Sequence, residues 1–266
     1  IKFFILNKTV PAIEAKDLSM VWGNLNVLRK INLLVNSGEK LAIVGPSGTG
    51  KSTILKILAG LILPTNGLLK IFGEEQNYLR LDQNNPPDVR LVFQNPALLG
   101  SLTIEENVGF ILNRNKKIPK KFIKDLVNEC LEEVGLFNVA QKLPNELSGG
   151  MQKRVSFARA LISEPKEKKQ DKPLLLFDEP TAGLDPIASS RIEDLINKTN
   201  DKVKGSSIVV SHVLSTIERT STKVLMLYGG KFRWEGSVHD FKNSNDPYVY
   251  QFRKGKLEGP MQPKEI

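Results

Sequence analysis

Four short runs of mostly apolar residues recur along the chain, and each ends in a glycine or a polar residue. Continuous apolar runs of this length are typical of strands in a parallel sheet that is covered on both faces. The pattern therefore predicts an α/β fold with a mostly parallel sheet. The runs are LAIVG (41–45), VRLVFQ (89–94), LLLFDE (174–179) and SIVVSH (207–212).

Other patterns divide the rest of the chain. Residues 12–40 alternate between apolar and polar positions and end in a Ser-Gly turn, which predicts antiparallel strands. Residues 51–62 predict a helix, and the block 100–165 keeps the 3.6-residue period of several helices. Two strand-like runs around Gly-Gly in 224–236 predict a hairpin. From 243 onward the chain is polar with Pro and Gly, and we expect no regular structure there.

The composition is that of an ordinary globular chain. Its 266 residues are 40% hydrophobic, enough for one large α/β domain or a core with a small subdomain. The longest apolar stretch, 54–64, is interrupted by Lys56 and is too short for a bilayer, which needs about 20 apolar residues. No small-residue cleavage site follows the apolar residues 1–6, so we expect no signal peptide.

The net charge of +9 is spread along the chain, with small basic clusters at 113–124 and 166–169. Neither cluster interleaves aromatic residues as a surface for single-stranded nucleic acid does, so we expect no nucleic-acid partner. Solvated loops are the first interpretation, and attraction to anionic lipid is the second. Cys130 is the only cysteine, which fits a reducing compartment, and its helical apolar stripe predicts a core residue.

The strongest chemical signal is GPSGTGKST (45–53), which follows an apolar run and opens a helix. Its glycines permit turns that point backbone N–H groups at phosphates. Lys51 is placed to reach the β- and γ-phosphates, and the Ser52 hydroxyl is placed for Mg²⁺. The motif therefore predicts a nucleoside triphosphate site. The candidate binding residues are Gly45, Ser47, Gly48, Thr49, Gly50, Lys51, Ser52 and Thr53.

Two adjacent acidic residues, Asp178 and Glu179, follow the buried run LLLF. Asp178 stands at the carboxyl end of a predicted strand, where open α/β sheets bind their ligands, and can hold the Mg²⁺ shell. Glu179 is placed to orient or deprotonate the attacking water. The alternative is a simple strand-end role, but two acids beside a buried strand are costly, which favours a functional role.

A second glycine-bearing helix start, LSGGMQKR (147–154), has no strand leading into it. Ser148 is a good N-cap residue, so an ordinary capped helix is one explanation. That explanation does not account for Gly149 and Gly150. A helix N-terminus is an anion site, and two glycines let a phosphate approach the backbone closely.

Together with GLDP (183–186) and VVSH (209–212), these motifs have the order and spacing of ATP-binding cassette ATPases. The chain resembles that family over nearly its whole length. The resemblance implies a phosphate-loop ATPase core with a mostly parallel sheet, an N-terminal antiparallel β subdomain and a helical signature subdomain. It implies ATP and Mg²⁺ as ligands. The implied ATPase domain is 12–242, with a helical subdomain at about 95–165 and a C-terminal tail at 243–266.

The resemblance also implies sites shared between two chains. Ser148, Gly149 and Gly150 would face the γ-phosphate bound by a second copy, so that two copies pair head to tail. Asp185 resembles the aspartate that couples the two sites across such a dimer. One departure from the family pattern is Met151, where the family usually has glutamine.

Further roles are implied within one copy. Gln94 resembles the glutamine that senses Mg²⁺ and water, and His212 resembles the switch histidine that contacts the γ-phosphate. Trp22 resembles the aromatic residue that stacks on adenine, with core packing as the alternative. The implied catalytic residues are Glu179, His212 and Gln94, and the implied magnesium ligands are Ser52, Gln94 and Asp178.

Three segments are similar to the ATPase subunit of Mce-type lipid transporters, including cyanobacterial and plastid relatives. They are NPALLGSLTIEENVGF (95–110), LSGGMQKR (147–154) and NDPYVYQFRKGKLEGP (245–260). The resemblance implies ATP hydrolysis that drives lipid transport between envelope membranes. The implied partners are an integral-membrane permease and an Mce-type lipid-binding protein. The implied place is the cytoplasmic face of the inner membrane, or the stromal face of the inner envelope in a plastid.

Two other function classes stay open. One is the ATPase of an importer for a polar solute. The other is a soluble cassette protein, such as an iron–sulfur assembly scaffold or a DNA-maintenance ATPase; the latter carries long coiled-coil insertions that this sequence lacks. The Lys-rich segment 164–173 departs from the subfamily, and we expect it to be a surface loop that could also touch anionic headgroups.

Overall fold

The computed structural model describes residues 10–162 and 172–262. The expectations for residues 1–6, for the whole basic cluster 166–169 and for most of the segment 164–173 lie outside the described residues. The strands are β1 (Ile13–Trp22), β2 (Leu25–Val35), β3 (Lys40–Val44), β4 (Asn66–Ile71), β5 (Glu74–Glu75), β6 (Val89–Val92), β7 (Leu174–Asp178), β8 (Ser206–Val210), β9 (Lys223–Tyr228) and β10 (Lys231–Ser237). The helices are α1 (Lys51–Leu58), α2 (Ile104–Val108), α3 (Phe110–Asn113), α4 (Lys120–Glu133), α5 (Gly149–Leu161), α6 (Pro186–Val203), α7 (Leu214–Thr220), α8 (Val238–Asn243) and α9 (Pro247–Lys254).

The central sheet has the strand order β10-β9-β3-β8-β7-β6. All of these strands run parallel except β10, which pairs antiparallel with β9 as the second arm of the predicted hairpin. The predicted parallel sheet is therefore confirmed. Val210 of β8 is the register partner of both Ile43 in β3 and Asp178 in β7. The loops that follow these three strands consequently leave the sheet side by side.

Both faces of the central sheet are covered, because successive side chains of a strand point to opposite sides. In β7, Leu174 and Leu176 belong to a core that includes α1 and the sheet of β1, β2 and β4. Leu175 and Phe177 pack on the opposite side, against α5 and α6. The Phe177 ring stacks on Phe157 of α5 with centroids 5.5 Å apart. The second half of α5 is thus fixed relative to the carboxyl end of β7.

The N-terminal segment forms an antiparallel sheet in the order β2-β1-β4-β5, as its alternating pattern predicted. Gly23, with φ 56°, turns the chain from β1 into β2. Trp22 is the last residue of β1 and is 49% exposed.

Helix α1 is shorter than predicted: it ends at Leu58 rather than at residue 62. Gly60 adopts a left-handed conformation with φ 68°. The N–H groups of Gly60 and Leu61 donate to the carbonyls of Ile57 and Lys56, which closes the last turn. A left-handed glycine is a common helix stop, so local backbone chemistry overrides the apolar pattern that continues beyond it.

Residues 247–254 form a helix that packs on the domain, so the expectation of no regular structure is wrong there. The Asp246 side chain caps α9, Pro247 occupies its first turn, and Gly255 ends it in a left-handed conformation. Gln251 of α9 binds Met261, which lies beyond the helix. The Gln251 side chain donates to the Met261 carbonyl at 2.8 Å and accepts from the Met261 N–H at 2.7 Å. These contacts hold the end of the described chain against α9.

The helices α2 to α5 share a core with the central sheet, and Cys130 of α4 lies in it. Burial raises the pKa of the Cys130 thiol to about 11, and the predicted core role is confirmed. In the described part of the chain, no helix combines the length and the hydropathy that crossing a membrane requires.

Candidate active site

The phosphate loop joins β3 to α1, and its glycines are required by its own backbone. Gly45, Gly48 and Gly50 have φ values of 149°, 73° and 100°, which residues with a side chain rarely adopt. A Cβ atom on Gly45 would lie 2.2 Å from the carbonyl oxygen of Leu227. The strand-to-helix turn that presents backbone N–H groups therefore depends on these glycines.

Lys51, the first residue of α1, is 7% exposed. Its ammonium donates to the carbonyls of Gly45 and Pro46 at 2.8 and 2.9 Å, which holds it against the loop. Burial lowers the pKa of Lys51, and the acidic groups of Glu179 and Asp178 oppose that shift. A buried cation beside a phosphate-shaped loop is suited to bind a polyanion.

The remaining residues of the phosphate loop, Ser47, Thr49 and Thr53, differ in their contacts and in their exposure. Thr49 donates from its hydroxyl to the Pro46 carbonyl at 2.9 Å, which supports the turn. Ser47 is exposed at the tip of the loop, and Thr53 is half-buried in the first turn of α1.

Ser52 and Asp178 meet although 126 residues separate them. The Ser52 hydroxyl donates to Asp178 Oδ1 at 2.9 Å. Burial raises the pKa of Asp178, and the hydrogen bond from Ser52 opposes that shift. Oxygen ligands of this kind suit Mg²⁺, which takes one or two protein groups plus substrate phosphates. Accordingly, residues 10–162 and 172–262 hold no group of three or more His, Cys, Asp or Glu that could bind a metal by themselves.

Glu179 follows Asp178 in a left-handed conformation with φ 45°, which is uncommon for a residue with a side chain. Its N–H donates to the Val210 carbonyl at 2.9 Å, and this bond fixes the turn to the end of β8. Glu179 Oε2 lies 2.9 Å from Nδ1 of His212. The side chain of Glu179 is 10% exposed and that of His212 is 55% exposed, so the pair joins the buried site to the surface.

Gln94 is exposed just after β6 and lines a cleft of about 350 Å³. Gly149, Lys153 and Gly183 line the same cleft. Among the described residues, no hydrogen bond joins Gln94 to Ser52 or to Asp178. The structure therefore brings Gln94 toward α5, the signature helix that begins at LSGG (147–150, the signature), rather than into direct contact with the other proposed magnesium ligands.

Ser148 is the N-cap of α5, and its hydroxyl accepts from the Met151 N–H at 3.3 Å. The capping explanation thus holds for Ser148. It does not extend to the glycines, because a Cβ on Gly149 or Gly150 would meet nothing within 4 Å. Nothing within the described chain requires a glycine at either position, and the N-terminus of α5 is open to an external group.

Lys153 is a residue that the sequence reasoning missed. Its ammonium donates to the carbonyls of Pro180 and Ala182 at 3.3 and 2.6 Å. Burial lowers its pKa, and Glu179 opposes the shift. The available signal was the Lys-Arg pair that ends LSGGMQKR, for which no role was predicted. Lys153 ties the signature helix to the segment that follows Glu179.

Within the described residues, neither Asp185 nor Trp22 forms a hydrogen bond with the phosphate loop. Asp185 is the N-cap of α6 and accepts from the N–H groups of Ile187 and Ala188, both at 2.9 Å. Those backbone hydrogen bonds, chiefly the one from Ala188, lower the pKa of Asp185. Trp22 is 49% exposed and belongs to no core cluster of the described residues, so the core-packing alternative is wrong.

The family model described as ABC transporter matches residues 28–182. The matched range includes the phosphate loop, Ser148, Asp178 and Glu179. The chain belongs to the ABC transporter family. As a member, it is an ATP-hydrolysing nucleotide-binding subunit with ATP as its substrate.

Two relatives and one solved structure show in more detail what this ABC transporter subunit is similar to. It is 44% identical over 265 residues to the Protein TRIGALACTOSYLDIACYLGLYCEROL 3, chloroplastic, of Arabidopsis thaliana, covering 96% of this chain and 77% of the relative. It is 35% identical over 253 residues to the intermembrane phospholipid transport system ATP-binding protein MlaF of Haemophilus influenzae, covering 94% and 92%. A solved dimeric ATP-binding cassette in a post-hydrolysis state, bound to ADP and Pi, has a TM-score of 0.73 and 30% identity over 85% of this chain and 98% of that one.

In this ABC ATPase the sequence-predicted residues fall into separate groups. Lys51, the Ser52–Asp178 pair and the Glu179–His212 pair gather at the carboxyl ends of β3, β7 and β8. Among the described residues, no hydrogen bond or ion pair joins Ser148, Asp185 or Trp22 to the phosphate loop. A single copy thus assembles the hydrolytic end of the site without the signature.

Proposed function

We propose that the chain hydrolyses ATP at sites shared by two head-to-tail copies. The observation that carries the proposal is the hydrogen bond between Ser52 and Asp178, with Glu179 next in sequence and in contact with His212. An ATP-binding loop, an acidic pair and a histidine then meet at one edge of the sheet, where open α/β sheets bind ligands.

In this proposal the phosphates lie in the loop 45–53, where the N–H groups at the start of α1 and the Lys51 ammonium bind them. Ser52 and Asp178 would hold Mg²⁺, with Gln94 in the cleft as a further candidate ligand. The metal supplies charge neutralisation for the phosphoryl oxygens. The exposed ring of Trp22 stacks on the adenine.

Glu179 is proposed to accept the proton of the attacking water on its carboxylate. The strained turn at Glu179 aims this carboxylate, and the Val210 carbonyl fixes the turn from β8. His212 lies within hydrogen-bonding distance of Glu179 and is half-exposed. It is proposed to contact the γ-phosphate from the opposite side.

The second copy is proposed to supply Ser148, Gly149 and Gly150 to the γ-phosphate, with Asp185 coupling the two sites. The open space around both glycines supports this step, because the chain's own packing gives no reason for them. The dimeric state of the solved cassette bound to ADP and Pi supports it further. The N-terminus of α5 offers unpaired N–H groups and a favourable dipole to an anion.

The test of the hydrolytic role is Glu179→Gln. This variant keeps the shape of the side chain but cannot accept a proton, so steady-state hydrolysis should fall by about 10²- to 10⁴-fold while ATP binding persists and the closed dimer accumulates. Glu129→Gln, the same charge change at an exposed position of α4, serves as the matched control. Undiminished hydrolysis in Glu179→Gln would contradict the assignment.

For the transported substrate we propose a phospholipid-type lipid moved between envelope membranes. The similarity to the ATP-binding protein of an intermembrane phospholipid transport system supports this choice, as does the 44% identity to the chloroplastic relative. The proposed partners are an integral-membrane permease and an Mce-type lipid-binding protein. We propose a peripheral position at the cytoplasmic face of the inner membrane, or the stromal face of the inner envelope in a plastid.

The test of this second part is affinity purification of the full chain from detergent-solubilised membranes, followed by lipid analysis. Co-purification of a permease and an Mce-type protein with enriched phospholipid is the expected result, and Glu179→Gln should retain the complex. Recovery with a permease and a soluble solute-binding protein would instead identify a polar-solute importer. Recovery of the chain in the soluble fraction alone would contradict both.

A further inference from the structure

A buried polar network links the segment after Glu179 to the segment after His212. Thr181 Oγ1 and Thr216 Oγ1 are 2.8 Å apart, and Thr216 Oγ1 donates to Glu193 Oε1 at 2.8 Å. Thr181, Thr216 and Glu193 are 2%, 0% and 0% exposed. The network therefore connects the β7–α6 loop, α6 and α7 in the interior.

The direction of the first bond follows from counting hydrogens. A carboxylate oxygen accepts, so the single hydroxyl hydrogen of Thr216 is used on Glu193. The bond between the two threonines then needs the hydrogen of Thr181. The chain of donors runs from Thr181 through Thr216 to Glu193, and bonds aligned in this way strengthen one another.

Glu193 is held as a buried acidic group by partners from α7. Ser215 donates to its Oε1 at 2.9 Å, and Arg219 Nη1 lies 3.0 Å from its Oε2. Arg219 of α7 is itself held against α6, because it donates to the side chains of Ser190 and Asp194 in α6, both at 3.0 Å. A buried carboxylate is costly unless it is paired and hydrogen-bonded, so this arrangement needs all its members in register.

The network lies close in sequence to both members of the proposed hydrolytic pair. Thr181 is two residues beyond Glu179, and the Glu179 carbonyl accepts from Ala182 within the same tight turn. Thr216 is in the first turn of α7, four residues beyond His212. The segment after β7 and the segment after β8 are thus joined by two contacts. One is the 2.9 Å contact between Glu179 and His212, and the other is the buried hydrogen bond between Thr181 and Thr216.

We infer that Glu193, with Thr216 and Thr181, is a positioning centre that sets His212 relative to Glu179 for hydrolysis. This inference rests on the proposed roles of Glu179 and His212. The network touches neither the phosphate loop nor Trp22, so its loss should change turnover and leave ATP affinity in place. That separation distinguishes positioning from nucleotide binding and from general support of the fold.

The test is Thr181→Val in the full chain, measured as kcat and KM for ATP. Valine keeps the shape of threonine but removes the first donor, and Thr216 can still donate to Glu193. One net hydrogen bond corresponds to a fall in kcat of about 3- to 10-fold, with KM within about twofold of wild type. Thr181→Ser, which restores the hydroxyl, should recover most of the rate.

The matched control is Ser206→Ala. Ser206 is 2% exposed at the opposite end of β8, where its hydroxyl donates to the Asn36 carbonyl at 3.2 Å and accepts from the Gly38 N–H at 2.9 Å. Its loss should lower the melting temperature without lowering kcat. An equal fall of kcat in Ser206→Ala would attribute the effect to stability and overturn the inference, as would a wild-type kcat in Thr181→Val.

If Thr181→Val does not fold, Thr216→Val and its serine counterpart are measured in the same way, and the same outcomes decide. Failure of the underlying proposal is separately visible. Wild-type hydrolysis in Glu179→Gln removes the assigned role of Glu179, whereas an inactive Glu179→Gln with an unaffected Thr181→Val removes the network alone.

Discussion

The chain contains helix starts at the phosphate loop and at the signature, both rich in glycine, and the structure explains their glycines differently. At the phosphate loop, left-handed backbone and the nearby Leu227 carbonyl leave no room for a side chain at Gly45. At the signature, Gly149 and Gly150 are helical, and a Cβ on either would enter open space. The first set of glycines serves the fold of its own chain, whereas the second has no such use.

This difference separates what one copy does from what a pair does. A glycine in a helix destabilises it by roughly 0.5–1 kcal/mol relative to alanine. Gly149 and Gly150, which nothing in the described chain requires, therefore make the single copy less stable than alanine would at these positions. The loss is understandable if an external group must approach the backbone closely, which is the role we propose for the γ-phosphate of a second copy.

The largest expected effect is at the phosphate loop. Lys51→Ala should abolish detectable ATP binding, because it removes a buried cation whose bonds to a charged ligand are worth about 1.5–3 kcal/mol each. Isothermal titration with a non-hydrolysable ATP analogue measures the loss. Lys56→Ala, the same charge change on the exposed side of α1, should bind normally. A nucleotide affinity close to wild type in Lys51→Ala would refute this placement of the loop.

The next largest effect is expected at the start of α5 and should differ in kind from the effect at the phosphate loop. Ser148→Arg should leave ATP binding nearly intact yet stop turnover, since a bulky cation at the start of α5 would block closure onto the neighbouring copy. Ser237→Arg is the matched control: Ser237 also caps a helix, accepting from the Asp240 N–H at 3.0 Å, but it caps α8 in another part of the fold. It should cost about 1 kcal/mol of stability and leave turnover unchanged.

Mixing Ser148→Arg with Lys51→Ala sharpens the same comparison. In a mixed dimer one interface carries both lesions, while the other pairs an intact phosphate loop with an intact signature. ATPase activity against mixing ratio should therefore rise above the background of either variant. Rescue need not reach half of wild type, because we expect the two sites to be coupled. Background activity despite proven subunit exchange would mean that one intact shared site is not enough, or that Ser148 is only a helix cap.

The sequence-predicted parts of the site are those coded by neighbouring residues. The phosphate loop and the pair Asp178–Glu179 could be predicted because each follows a short apolar run directly. The helix α9 could also have been predicted: Asp246, Pro247 and Gly255 are ordinary start and stop signals, but the polar composition was given more weight than the caps. The end of α1 at Leu58 was missed because the apolar pattern continues past it and was given more weight than the stop signal at Gly60.

Long-range side-chain contacts were beyond such reasoning. Glu193 has its partners on α7 and, through Thr216, at Thr181, and no local period relates those positions. Lys153 likewise meets the Pro180 and Ala182 carbonyls across 27 and 29 residues. The Glu193 contacts exist because the parallel sheet brings the ends of β7 and β8 together, and the Lys153 contacts exist because α5 packs on β7. Both sets follow from the tertiary structure rather than from any one segment.

A smaller effect is expected at the adenine. Trp22→Ala should weaken ATP binding by about 1–3 kcal/mol if the exposed ring stacks on the base, and Trp22→Tyr should restore most of it. Trp234→Ala is the control, because Trp234 packs against Phe241 with centroids 5.8 Å apart. It should lower the melting temperature while ATP affinity stays unchanged. Normal binding by Trp22→Ala would remove the stacking role.

The smallest effect tests the glycine comparison directly. Gly150→Ala adds a methyl group to open space in the first turn of α5, so the single copy should be stabilised by up to roughly 0.5–1 kcal/mol, measured by thermal and urea unfolding. Turnover should fall at the same time, because the methyl group would stand between the helix backbone and the γ-phosphate of the neighbouring copy. Gly45→Ala, whose Cβ would lie 2.2 Å from the Leu227 carbonyl oxygen, should destabilise instead. A Gly150→Ala variant that is both more stable and fully active would mean that no ligand approaches this helix start closely, and the proposed shared site would lose its main structural support.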